Sequence, residues 1–113
     1  MITDLSYLES MSGNDHKFIR EMVDIFREQI EEYSIEMPRL LQASDYENLS
    51  RVAHKAKSSV AVMGMQSEAD RLKELEFKSK EGLEPESYKE LIDTFIENSG
   101  YALIELEQYL SKS

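Results

Sequence analysis

The run RVAHKAKSSVAVMGM, residues 51–65, sets a histidine among cations and small side chains. A neutral imidazole nitrogen is nucleophilic near neutral pH, and histidine can form covalent intermediates, so His54 is the candidate reactive group. Arg51, Lys55 and Lys57 surround it, and no Asp or Glu occurs between Glu47 and Glu68. The chain has 23 acids among 113 residues. At that density a gap of this length arises at a given place about once in a hundred by chance, which marks the stretch as locally positive on a protein of net charge −10. A positive field suits a histidine that must carry an added anion. The second histidine, His16, has no comparable setting and reads as a solvated residue in the first turn of its helix. Gly13 and Arg51 stand three residues before the two histidines, so neither forms the Glu-x-x-His pair of a carboxylate-bridged metal bundle. Cys is absent, which excludes disulfides, thiolate metal sites and cysteine nucleophiles.

These groups need a scaffold, and the sequence predicts helices throughout. TDLSYLESM, residues 3–11, is a short amphipathic stretch stopped at Ser12-Gly13. Asn14 or Asp15 suits the N-cap of the next helix. Phe18, Met22, Phe26, Ile30, Tyr33 and Met37 recur there every three or four residues. Pro38 is expected to kink or end that helix, since proline lacks the N–H and clashes with the preceding turn. SDYE, residues 44–47, fits the S-x-x-E capping box and starts a third helix at about Asp45, running to Met63 or Gly64. A fourth covers residues 66–80, with Ala69, Leu72 and Leu75 turned inward and Phe77 off the stripe. EGLE makes the next turn, and Pro85 sits where a first helical residue would. Leu91, Ile92, Phe95, Ile96, Leu103, Leu106 and Leu110 mark a last long helix that Gly100 weakens without stopping. No segment alternates apolar and polar residues over strand length. The expected fold is all-α, an antiparallel four-helix bundle with a short extra N-terminal helix, in a single domain over residues 1–113.

On a wheel of about 100° per residue, Val52, Ala53, Ala56, Val60 and Met63 fall within roughly 60° of Leu49 and define the buried stripe of the third helix. His54 falls about 140° from Leu49, outside that stripe, with Lys57 about 60° from it on the core side. Ser50, Ser58 and Ala61 lie within about 40° of His54. His54 is therefore expected to be exposed, with a lysine in reach and enough room for a partner as bulky as a protein. The net negative charge argues against nucleic acid. No apolar run approaches the roughly 20 residues of a membrane span, and the N-terminus lacks a signal-peptide pattern, so a cytoplasmic protein without a membrane partner is expected. Met1 directly before ITDL favours a free-standing chain.

AHKAKSSVAVMGM, residues 53–65, resembles the H-x-x-K-[GS]-x-x-x-x-[LIMV]-G segment of histidine-containing phosphotransfer (HPt) domains of multistep phosphorelays. Ala56 stands where a larger apolar residue is common, and Ser58 where glycine is common. YLESMSGNDHKFIREMVDIF, residues 7–26, is similar to the family's first helix, turn and second helix, and RLKELE, residues 71–76, to its fourth. The resemblance implies that His54 is phosphorylated, that Lys57 lies beside the phosphoryl group, and that Gly64 closes the helix. It implies a monomeric phosphocarrier that exchanges a phosphoryl group with receiver domains of response regulators or hybrid histidine kinases. The carrier would have no cofactor of its own, Mg²⁺ being on the receiver. There is no Gly-rich phosphate loop, so a carrier and not a kinase is expected. The receiver would dock over His54, on Ser50, Arg51, Lys55, Ser58, Ala61, Gly64 and Met65 together with apolar residues of the adjoining helix. The alternative is a non-catalytic helical adaptor that binds a signalling partner without carrying phosphate.

Overall fold

The computed structural model describes residues 2–13 and 15–112. Five α-helices follow one another: α1 (Ser6–Ser12), α2 (His16–Gln42), α3 (Tyr46–Val62), α4 (Gln66–Glu81) and α5 (Tyr88–Ser111). A single 3₁₀ turn, Pro85–Ser87, leads into α5, and no strand occurs among the described residues. The expected all-α class holds.

The local signals mostly act where expected, with three displacements. Asp15 caps α2, its carboxylate accepting from the N–H groups of Lys17 and Phe18; Asn14, the other candidate cap, lies outside the described residues. α2 runs through Pro38 to Gln42 rather than stopping there. Met37 and Leu40 on either side of the proline are buried, and that packing holds the last turn in place of the missing backbone hydrogen bond. α3 is capped by Asp45, which accepts from the Asn48 N–H at 3.3 Å, and not by Ser44. Ser44 adopts φ 54° in the turn, so the capping box expected over Ser44–Glu47 does not form. Pro85 opens the 3₁₀ turn, and α5 begins three residues later.

The packing places α3 against α4 most closely, across the three-residue connection 63–65. Residues near the start of α4 meet residues far along α5, as in the Asn98 to Glu68 hydrogen bond of 2.8 Å. Residues near the end of α4 meet the start of α5: Tyr88 donates to the Lys78 carbonyl at 2.6 Å. These two helices therefore run antiparallel. Likewise Met22 and Phe26 of α2 share a groove with Ser58 and Val62, late in α3, whereas Glu36 and Arg39 face Asn48 and Arg51, early in α3. The core contains the predicted stripe of α3 in full: Leu49, Val52, Ala53, Ala56, Val60 and Met63 are all buried. Phe26, Phe95 and Tyr88 supply its largest side chains.

The N-terminal segment straps the bundle. The Ile2 and Thr3 N–H groups donate to the Glu105 carboxylate of α5, and the Asp4 N–H donates to the Met63 carbonyl at 3.0 Å. Burial pushes the Glu105 carboxyl up, but the hydrogen bonds from Ile2 and Thr3 outweigh it and hold the group below its ordinary range. Gly64 makes this crossing possible. Its φ is 68°, and a Cβ there would stand 2.1 Å from the Asp4 carbonyl oxygen.

Candidate functional site

His54 stands on the outer face of α3 with its side chain 66% exposed, as the wheel predicts. Its Nδ1 lies 2.8 Å from Oε2 of Glu76, on α4. The other oxygen of the same carboxylate accepts from Nζ of Lys57 at 2.6 Å. Glu76 thus bridges the two α3 residues singled out by the sequence, which lie three apart on one helix face. Burial of the Glu76 carboxyl pushes it up, yet the hydrogen bonds from Lys57 and His54 prevail and keep it below its usual value. It is ionised at neutral pH. An ionised carboxylate can only accept, so Nδ1 carries the imidazole proton and the lone pair sits on Nε2. Among the described residues no hydrogen-bond partner engages Nε2.

The position of Glu76 follows from the α3–α4 contact below it. Ser50, one turn before His54, donates its hydroxyl to the Glu76 backbone carbonyl at 3.0 Å. Ser79 reaches the same carbonyl at 3.3 Å, together with that of Leu75. Buried Leu72 and Leu75 press this stretch of α4 into the core, which turns the Glu76 side chain along the edge of the stripe towards α3. Sequence reasoning missed Glu76. Its signals are a carboxylate next to the buried stripe of a neighbouring helix and an acid-free window whose lysines lack partners on their own helix.

Two expected docking residues are not at the surface. Ser50 is only 7% exposed, because α4 covers it; its small size serves helix approach rather than partner access. Met65 is 1% exposed and belongs to the core. Gly64 is partly buried against Asp4, which gives it a structural task. Arg51 is exposed but pairs with Glu47 at 2.9 Å. Lys55, Ser58 and Ala61 are exposed as expected. A groove of about 930 Å³ opens beside His54, with Tyr46, Arg51 and Lys80 among its walls. On the other side of the helix, Ser58 joins Met22, Ile25 and Val62 along the α2–α3 groove. His16 lies apart, stacked on Tyr109 with ring centroids 5.9 Å apart.

The Hpt domain family model matches residues 21–112. This chain belongs to the Hpt family. Its role is histidine phosphotransfer in a phosphorelay, its partners are receiver domains, and Hpt domains are helical bundles that act as phosphocarriers rather than kinases. Of the two histidines, only His54 falls within the matched residues of this Hpt domain. Neither a curated protein nor a solved structure matches the chain. No helix among the described residues is long and apolar enough to cross a membrane.

Proposed function

We propose that His54 is the phosphoacceptor of this Hpt domain and that Nε2 is the attacking atom. The observation that carries the assignment is that the single histidine within the family match is exposed and has Nδ1 engaged by an ionised carboxylate. That arrangement selects the tautomer with a free Nε2 lone pair. Nε2 attacks the phosphorus of an aspartyl phosphate on the receiver. The P–N bond forms as the P–O bond to the aspartate breaks, and the aspartate leaves as a carboxylate with the bonding pair. Onward transfer is the reverse step with a second receiver. Phosphoryl transfer depends chiefly on positioning and charge neutralisation. Lys57 supplies charge from this side, while Mg²⁺ comes with the receiver and this chain brings no cofactor of its own. The receiver docks over Lys55, Ser58 and Ala61, with Met22, Ile25 and Val62 as the apolar part of the contact. The carrier acts as a monomer in the cytoplasm.

Incubation with a phosphorylated receiver tests the assignment. The wild-type protein gains an acid-labile phosphoryl group. His54→Gln gains none and melts at nearly the same temperature, because an exposed side chain contributes little packing. Undiminished acceptance by His54→Gln would place the reactive residue elsewhere.

A further inference from the structure

The two flanks of His54 differ. On one side Ser58 joins the α2–α3 groove. On the other, α3 and α4 part to form the open groove of about 930 Å³, which has no lining residue in common with the first. We propose that the α3–α4 groove is a binding site for a small aromatic anion, with its planar body against Tyr46 and its charged group between Lys55 and Lys80. The site stands whether or not His54 carries phosphate.

Small side chains give the groove its depth. Ser50 of α3 and Ser79 of α4 are both buried at its base, and both donate their hydroxyls to the Glu76 carbonyl. Longer side chains at either position would fill the space. Tyr46 opens α3 and Gly82 follows the last residue of α4, so the two mark one end of the groove, and His54 stands two turns further along α3. Gly82 leaves that end open, since a Cβ added there would meet nothing within 4 Å. The Tyr46 ring is held edge-to-face on buried Tyr88, with centroids 5.2 Å apart and an interplanar angle of 87°. It is therefore fixed in place before any ligand arrives, and its hydroxyl has no hydrogen-bond partner among the described residues. A groove of this volume with an aromatic wall and a few polar groups is the usual form of a small-molecule site.

The charges select the sign of the ligand. Three carboxylates line the groove, but Glu47 is paired with Arg51, and Glu76 with Lys57 and His54. Lys55 on one wall, Lys80 on the other and Glu81 beside Lys80 have no ion-pair partner among the described residues. Two free cations against one free carboxylate leave the groove at +1, on a protein of net charge −10. An anion between the two walls is drawn by both lysines. The negative charge elsewhere repels an extended polyanion, so the occupant is an anion small enough to lie within the groove.

Titration with 1-naphthyl phosphate, followed by nitrogen–proton NMR of the full chain, tests the site. The Tyr46, Lys55, Lys80 and Gly82 amides shift and saturate, with a Kd of about 1 mM, as expected of a ligand of this size. Inorganic phosphate supplies the charge alone and 1-naphthol the planar body alone, and each binds at least about tenfold more weakly. Lys55→Ala and Lys80→Ala, both at exposed positions, keep the melting temperature and each weaken naphthyl phosphate about three- to fivefold, the loss expected of one exposed charge. Tyr46→Leu, compared where its melting curve shows folded protein, lowers the advantage of naphthyl phosphate over phosphate. Equal affinity for phosphate and naphthyl phosphate would reduce the site to non-specific attraction and overturn the proposal. So would unsaturated shifts, shifts confined to the α2–α3 groove, or undiminished binding to the folded Lys55→Ala/Lys80→Ala double variant. None of these outcomes bears on His54 as the acceptor, which receiver transfer reads separately.

Discussion

Gly64→Ala separates a structural glycine from a docking one, and its cost can be worked from two features of the turn. The first is the backbone. At φ 68° an alanine Cβ crowds the following carbonyl, at a cost of about 1 kcal/mol. The second is the strap. A Cβ standing 2.1 Å from the Asp4 carbonyl oxygen and 2.7 Å from its nitrogen meets backbone, which cannot swing aside as a side-chain tip would. The strap must move and release the hydrogen bond between the Asp4 N–H and the Met63 carbonyl, which adds about 1–2 kcal/mol. A domain of this length has an unfolding entropy of about 0.24 kcal/mol per kelvin, so a total of about 2–3 kcal/mol lowers Tm by about 8–13 °C. Thermal unfolding followed by far-ultraviolet circular dichroism reads the shift. Gly13→Ala is the internal control. Gly13 has φ 64° but nothing within 4 Å of an added Cβ, so it loses only the backbone term, about 4 °C. Gly64 lies ten residues beyond His54, about 15 Å of helical rise, and receiver transfer well below Tm is expected to be unchanged. Equal losses in the two variants would refute the steric argument. Loss of transfer in a folded Gly64→Ala protein would return this glycine to the docking face.

Lys57→Ala slows receiver transfer about tenfold, the low end for one partly exposed charge, because Lys57 is already shared with Glu76; single-turnover transfer measures it, and an unchanged rate would leave the lysine without a part in the reaction. Ser58→Trp and Ala61→Arg leave helix content and Tm nearly unchanged, since both positions are exposed, yet block transfer from a receiver by obstructing close approach. Phosphoramidate still loads His54 in both variants, and normal receiver transfer in both would rule out this face as the docking surface.

Much of this fold is legible along the chain, because periodicity and capping are local. Every position of the α3 stripe could be assigned from residue spacing, and so could the exposure of His54, since both depend only on the angle between successive residues. The failures have a common origin in neighbours that a single helical wheel omits. Ser50 shares an angular sector with His54, but α4 crosses one turn earlier and covers it. Met65 follows the glycine that ends α3, and the chain there turns inward rather than outward. Ser44 carries a good capping sequence, yet the tight path from α2 requires φ 54° at that residue and passes the cap to Asp45. Glu76 is the largest omission. It lies 22 residues from His54, and nothing in the spacing of α4 alone shows which side of that helix faces the histidine.

The carboxylate also changes the meaning of the acid-free window. In sequence, Arg51, Lys55 and Lys57 form an uncompensated positive field around His54. In the folded protein Glu47 takes Arg51 and Glu76 takes Lys57, leaving Lys55 as the α3 cation without an ion-pair partner among the described residues. For a carrier this reduction matters. A histidine ringed by three free cations would hold a phosphoryl group too firmly, and each 1.4 kcal/mol or so of excess stabilisation would slow its departure about tenfold. A group that must be accepted and then surrendered is best held by a field strong enough to draw it in and weak enough to release it. Supplying the charge opposite Lys57 from α4, with the one acid of α3 confined to its first turn at Glu47, keeps the helix face around His54 free of acids where the anionic phosphoryl group arrives, while the negative charge of Glu76 stands behind the ring at Nδ1.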